Sequence, residues 1–360
     1  MFDSEIKILH IESTTVCNAH CPQCSREDSN LYNDATDRSE LTVDKCRELF
    51  SDKFIKNLDK VFMCGIFGDP SANPNTIDIF KFFRSINPNI ILGMNTNGSI
   101  QNTSWWKDLA SVFDREKDYV VFSIDGLEDT NHIYRIGVNF NKAISNAKAF
   151  IGGGGTAHWD MLVFEHNEHQ VERAEELSKQ YGFERFVAKK TGRFYSTAQL
   201  TGKETHQAIN RKGEETAELA KPKKQEYINL ALLKEEEITK TYGSMEQYYN
   251  KCSIDCKVAK QGSIFITAEG LLMPCCWTAG RMYKWWHPDY RVEQIWDHID
   301  NAGGKEGIDV INKDLETVMN GTLLKGIQDS WNIDGIKNGK LGVCAMKCGT
   351  EFDPYTEQFK

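Results

Sequence analysis

A chain of 360 residues is long enough to bury a large core and to carry one main domain with a smaller companion. With 43 Lys and Arg against 52 Asp and Glu, its formal charge of -9 argues against a nucleic-acid substrate, which needs a concentrated basic surface. No apolar run reaches the length of a membrane span and the start Met-Phe-Asp-Ser-Glu lacks the regions of a secretory signal, so a cytoplasmic protein without a membrane partner is expected.

From Ile6 onward, short apolar runs alternate with segments of helical period, the pattern of successive βα units on a parallel sheet. Strands are predicted over 6–11, 60–66, 90–95, 119–124, 158–164 and 185–189. Helices are predicted over 42–57, 75–86, 105–113, 142–150 and 170–181. These units assign 1–190 to a first domain. Over 191–250 the chain turns rich in Lys, Glu and Gln, as in Arg211-Lys-Gly-Glu-Glu-Thr, and reads as a charged, helical bridge or as a lid. The remainder, 251–360, reads as a small second domain containing a β-hairpin that turns at Ala268-Glu-Gly270.

The 11 cysteines in a reducing compartment point to metal binding or catalysis rather than to disulfides. Cys17, Cys21 and Cys24 form C-x3-C-x2-C directly after the first predicted strand. An iron-sulfur cube held by three cysteines leaves one iron open to a small chelating molecule. Structural zinc is the alternative, with His20 as fourth ligand, although zinc sites more often pair two C-x2-C units or Cys/His sets. A second set comprises Cys252, Cys256, Cys275, Cys276, Cys344 and Cys348, which leaves Cys46 and Cys64 as ordinary buried residues. Between members of the second set lie Trp277, Tyr283, Trp285, Trp286, His287, Tyr290 and Trp296, expected as a small aromatic core or as a substrate wall.

The C-x3-C-x2-C spacing resembles the signature of the radical S-adenosylmethionine (radical SAM) superfamily, with Gln23 where that family usually has an apolar residue. The resemblance implies a partial (β/α)6 TIM-like barrel, an α/β fold whose open side admits substrate. It implies a [4Fe-4S] cluster on Cys17, Cys21 and Cys24 whose open iron binds S-adenosyl-L-methionine. One electron would cleave the sulfonium and release a 5'-deoxyadenosyl radical that abstracts hydrogen from substrate, the cofactor carrying the chemistry and the protein orienting it. Gly68-Asp69-Pro70 resembles the family's G-E-P element, Asn95-Thr-Asn97-Gly its T-N-G, and Ser123-Ile-Asp125-Gly its S-[IL]-D-G, each at the C-terminal end of a strand. These residues are expected as cofactor contacts, with Arg135 near the methionine carboxylate and Val163, followed by Phe164, beside adenine. No acid or base stands out; Asp69, Glu165 and His166 are the candidates.

The second cysteine set resembles the auxiliary-cluster module called SPASM or, in shortened form, twitch. Cys256, Gly270 and Cys275 give C-x13-G-x4-C, and the cysteine-rich stretch of the full form is absent, so the resemblance implies one auxiliary [4Fe-4S] cluster on Cys256, Cys275, Cys344 and Cys348. Cys252 and Cys276 are the competing ligands. A closed cluster fits electron transfer or a structural staple. Members of the family with such modules modify ribosomal peptides or dehydrogenate small sugar-like molecules, which implies net oxidation or crosslinking of a peptide, with the small molecule as alternative. A flavodoxin or ferredoxin would donate the electron. The first strand begins about six residues in, leaving no room for an internal leader-binding domain, so a separate leader-peptide-binding protein is an expected partner. The contrasting class is a non-catalytic iron-sulfur or zinc sensor.

Overall fold

Strand and helix alternate from the first described residues of the computed structural model, which describes 5–26, 38–194, 203–283 and 293–354. The order is β1 (Ile8–Ile11), α1 (Val43–Leu49), α2 (Asp52–Asn57), β2 (Lys60–Met63), α3 (Thr76–Ile86), β3 (Ile91–Thr96) and α4 (Thr103–Ala110). It continues with β4 (Tyr119–Ser123), α5 (Asn131–Tyr134), α6 (Phe140–Gly152), β5 (Ala157–Leu162), α7 (Val171–Tyr181) and β6 (Arg185–Lys189). All six expected strands are present and pair in parallel in chain order, β1 to β6. This is the sheet of a partial TIM-like barrel.

Alternation along each strand divides the sheet's two faces. Leu9, Ile11, Val61, Met63, Leu92, Met94, Phe122, Trp159 and Met161 are fully buried in the core that includes α3, α4 and α6. The residues between them, His10, Phe62, Tyr119, His158 and Asp160, take the opposite face and make it aromatic and polar. Polar caps start α1, α2, α4 and α6: Asn139 accepts from the Lys142 amide at 2.8 Å to open α6. The helix expected over 42–57 is two helices, because Phe50 is extended and the Ser51 hydroxyl caps a fresh start by accepting from the Phe54 amide.

Two expectations about the later chain need correction. Within the supposed helical bridge, β7 (His206–Ile209) and β8 (Glu215–Leu219) form an antiparallel hairpin. Its charges hide a period of two: Ala208 and Leu219 are buried while Gln207 and Glu218 are exposed. Helices follow at Leu230–Tyr242 and Met245–Lys251, where helical character was expected. The hairpin assigned to the second domain, β9 (Ser263–Ile266) and β10 (Leu272–Met273), belongs to the main sheet. β9 lies parallel to β1, with Ile8 opposite Ser263 and Ile11 opposite Ile266, because an uncovered β1 would leave a row of backbone groups without a ladder. Gly270 holds φ at +84° in the turn, and a side chain there would strike Ile311.

Candidate functional site

Cys17, Cys21 and Cys24 lie on the loop leaving β1, where the Cys24 amide closes a turn on the Cys21 carbonyl at 2.9 Å. Their side chains border one buried patch with Ala19, Tyr134, Val138 and Phe164. The Ala19 amide points at Cys17 Sγ (3.4 Å), and Cys24 Sγ points at the Ile66 carbonyl (3.8 Å). Burial pushes the Cys17 and Cys21 thiols up, so a bound metal would have to supply the charge that makes them thiolates. Among the described residues, no three His, Cys, Asp or Glu side chains converge as ligands of a single ion do. A cube differs in this respect, since each thiolate binds its own corner iron. His20, the other zinc candidate, has Arg211 and Arg26 as its charged neighbours.

Sequence reasoning missed Arg26, Arg193 and Arg211, which join the expected Arg135 around this loop. Arg26 donates to the Thr15 and Phe67 carbonyls. Arg193, just past β6, donates to the Gln23 carbonyl (2.8 Å) and to the Tyr134 hydroxyl (2.7 Å). From the tip of the β7–β8 hairpin, Arg211 donates to the Asn18 carbonyl at 2.7 Å and to that of Cys17 at 3.3 Å. Arg135, expected beside a methionine carboxylate, gives Nε to Asp125 (2.5 Å) and directs Nη1 at Cys21 Sγ (3.7 Å). Arg193 and Arg211 sit about 170 and 190 residues from the loop, so no local signal marked them.

The three motif loops meet at this cysteine loop. Gly68 is required because a Cβ would fall 1.8 Å from the Thr14 carbonyl oxygen, which is how closely the G-D-P turn packs on the start of the loop. Glu12, at the end of β1, fixes the same turn by accepting from the Phe67 (2.7 Å) and Gly68 (3.2 Å) amides, and burial raises its carboxyl to about 7. Asp69 points inward. Its carboxylate accepts from the Ser71 amide (2.9 Å) and hydroxyl (2.6 Å), the Thr96 hydroxyl (2.8 Å) and the Asn97 amide (2.7 Å). Its side chain therefore welds G-D-P to N-T-N-G, and Pro70 starts a buried helical turn.

Asn97 joins that weld to the cysteines through Asn18 Oδ1 (2.8 Å) and Cys17 Sγ (3.8 Å). Asp125 accepts from Arg135 and, at 2.6 Å, from the Leu162 amide, so it ties β4 to β5. Val163 is fully buried in the main core, its amide bonded to the Lys189 carbonyl, and Phe164 packs on Tyr134 at 4.7 Å. Glu165 pairs with Lys223 and its amide with Ala220, both on the hairpin's exit. His166 stacks on Phe164 at 5.3 Å, with both ring nitrogens buried and unbonded; burial lowers it to about 4, so it is neutral at pH 7.

Inside the barrel, Lys189 lies 3.5 Å from Asp160, and Asn95 turns a buried, unbonded Oδ1 inward. Cys64 does not behave as the ordinary core residue expected. It is half-buried at the end of β2, with Lys189 and Glu12 among its charged neighbours, and burial raises its thiol to about 11. Cys46 is a core residue as read.

Cys256, Cys275, Cys344 and Cys348 line a single cavity of about 80 Å³, walled by Ile254, Pro274, Trp277, Ile327, Trp331 and Val343. Cys275 starts a short helix (Cys276–Ala279) and Cys344 and Cys348 lie one turn apart on the helix Gly342–Cys348. A hydrogen bond accepted from the Cys256 thiol holds Cys348 below the usual thiol range and pushes Cys256 up. The competitors do not line this cavity: Cys252 points at the Tyr249 carbonyl (3.7 Å), and Cys276 has Cys275, Cys64 and Glu12 as its charged neighbours. Of the aromatic stretch, Tyr283 and Trp296 are buried core residues, whereas Trp277 is 40 % exposed under Lys347; Trp285, Trp286, His287 and Tyr290 lie outside the described residues.

No curated protein matches the chain in sequence. The fold is similar to that of Streptococcus suis SuiB bound to precursor peptide SuiA, at 15 % identity and a TM-score of 0.55 over 96 % of this chain and 72 % of that one. It is similar to native anSMEcpe with bound AdoMet and Cp18Cys peptide, at 14 % identity and a TM-score of 0.51 over 98 % and 94 % of the two chains. Against SuiB bound to S-adenosylmethionine the TM-score is 0.48 at 16 % identity over 80 % of this chain, which spans 65 % of that one. No helix among the described residues is long and apolar enough to cross a membrane. Residues 11–178, which hold the three cysteines and the G-D-P, N-T-N-G and S-I-D-G loops, match the model of the Radical SAM superfamily.

Proposed function

We propose that the protein oxidises or crosslinks a peptide by radical chemistry started at the loop of Cys17, Cys21 and Cys24. The observation that carries the reading is the joining of G-D-P, N-T-N-G and S-I-D-G to that loop through Asp69, Asn97, Asp125 and Arg135. When bound there, a [4Fe-4S] cluster supplies the electron that splits S-adenosyl-L-methionine into methionine and a hydrogen-abstracting 5'-deoxyadenosyl radical. Asn97 and Arg135 orient the thiolates with N–H groups, and the hairpin carrying Arg211 covers the loop from outside. Ser123 ends β4 with a half-buried side chain, available to a ligand that lies across the strand ends.

Cys256, Cys275, Cys344 and Cys348 would hold one auxiliary [4Fe-4S] cluster, supported by their shared cavity. That cluster would take the electron left on the substrate after hydrogen abstraction, making the outcome an oxidation. A peptide substrate is supported by the likeness to two folds seen with peptides, SuiB with SuiA and anSMEcpe with Cp18Cys. A flavodoxin or ferredoxin would deliver the reducing electron, and a separate leader-peptide-binding protein would present the peptide.

Anaerobic reconstitution with iron and sulfide, then dithionite and S-adenosyl-L-methionine, should yield 5'-deoxyadenosine. Alanine at Cys17, Cys21 and Cys24 should abolish it while leaving about four iron atoms bound, and alanine at Cys256 and Cys348 should remove those four. Zinc without sulfide in the wild type would sink the reading. With a pool of synthetic peptides, a product two hydrogens lighter supports peptide oxidation, whereas turnover only of aminosugars points to the small-molecule alternative.

A further inference from the structure

We propose that Arg193 is a positioning residue of the three-cysteine loop whose charge sets the reduction potential of the cluster bound there; this rests on the reading just given. Arg193 lies on the segment leaving β6, at the far edge of the parallel strands from β1, and yet its Nη1 reaches the carbonyl of Gln23, the residue before Cys24. The same nitrogen donates to Tyr134, whose ring is fully buried against Phe164. Arg135, next to Tyr134 in the chain, places its guanidinium 5.6 Å from the Tyr134 ring centre and directs Nη1 at Cys21 Sγ. Two guanidiniums thus flank consecutive cysteines of the loop, with one tyrosine between them.

Asp125, only 1 % exposed, is bonded to Arg135 and offsets that charge beside Cys21. Arg193, held at the Gln23 carbonyl next to Cys24, is close enough for its charge to act on Cys24 and Cys21 as well as on Tyr134. A cation in a dry site acts strongly over such a range, and the potential of an iron-sulfur cluster responds to nearby charge and to hydrogen bonds around its sulfurs. Adding an electron makes the cluster more negative, so Arg193 stabilises the reduced form and raises the potential. A guanidinium also suits this place because its planar donors can serve a carbonyl and a hydroxyl together while the charge stays fixed.

The test compares R193K, which keeps the charge, with R193Q, which removes it, in the full-length reconstituted protein. The readout is a redox titration followed by electron paramagnetic resonance, using the reduced-cluster signal that changes when S-adenosyl-L-methionine is added. R193Q should shift that midpoint to a lower potential, R193K should stay near the wild type, and the signal insensitive to S-adenosyl-L-methionine should not move. Equal midpoints in all three proteins at full iron content overturn the proposal. Loss of the cluster from both variants also overturns it, leaving Arg193 as a structural tether only; loss from R193Q alone supports the need for the charge. A wild type that binds no iron and sulfide at the three cysteines defeats the underlying reading instead, and the two failures are told apart by metal analysis.

Discussion

Arg135 and Asp125 form a buried ion pair at 2.5 Å, their side chains 16 % and 1 % exposed, and the pair connects S-I-D-G to the cysteine loop through Cys21. Breaking one side leaves a buried guanidinium without its counter-charge, which costs about 3–5 kcal/mol. D125N should therefore lower the thermal midpoint of the apo protein markedly, and the D125N/R135Q double variant should be less destabilised than the sum of the single changes. A calorimetric double-mutant cycle checks this, and additive losses would show that the two residues do not act as a pair.

Asp69 should be more sensitive to amide than its place in a surface-loop motif suggests. Four donors surround its carboxylate, so D69N turns an amide NH2 against at least one of them and leaves a buried donor unmet. We expect a loss of about 2–4 kcal/mol and weaker binding of S-adenosyl-L-methionine, because the G-D-P turn and Asn97 come loose together. Denaturant titration and equilibrium dialysis measure the two effects separately.

Glu12 makes a pH dependence with a definite sign. Burial raises its folded pKa from 4.5 to about 7, so the unfolded chain releases its proton first and stability falls as pH rises through that window. His10, on the same strand, acts in the opposite sense, since burial lowers it from 6.5 to about 4 and stability rises with pH across that range. The wild type should therefore look flatter than either group alone would make it. E12Q isolates the first term: its stability relative to wild type should grow by about 3 kcal/mol from pH 4.5 to 7, read from urea midpoints at each pH.

Arg211 is an exposed latch, and its loss should be mild for the fold but visible at the hairpin. R211A removes the contacts to Asn18 and Cys17 carbonyls, worth about 1 kcal/mol for an exposed pair of bonds. Limited proteolysis should cut faster between 209 and 215 while the global midpoint barely moves. Unchanged cleavage would show that the hydrophobic seat of Ala208 and Leu219, not Arg211, holds the hairpin down.

Periodicity carried the parallel sheet, since Leu9, Val61, Leu92, Phe122 and Trp159 each recur in short apolar runs separated by amphipathic helices. The three cysteines were legible for the same reason, because their spacing is local. What escaped was long-range: Arg193 and Arg211 meet the loop only after the chain has folded, and folding alone brings Cys64 to Lys189 and Glu12. The direction of Asp69 was equally hidden, since a G-D-P turn can face ligand or neighbour and only the donors of Ser71, Thr96 and Asn97 decide. In the hairpin, abundant Lys and Glu masked a two-residue alternation in which Ala208, Ala217 and Leu219 carry the apolar signal.

The pairing of β9 with β1 bears on how the gene product can be divided. A fragment ending before residue 263 would keep every cysteine of the first set, yet β1 would become a terminal strand with Leu9 and Ile11 beside an open ladder. Such an edge recruits other chains. The second cysteine module is thus also the first module's cover, so neither half is a free-standing unit to be exchanged between proteins, and insertions that separate them in sequence would be tolerated only where they leave this one parallel ladder intact.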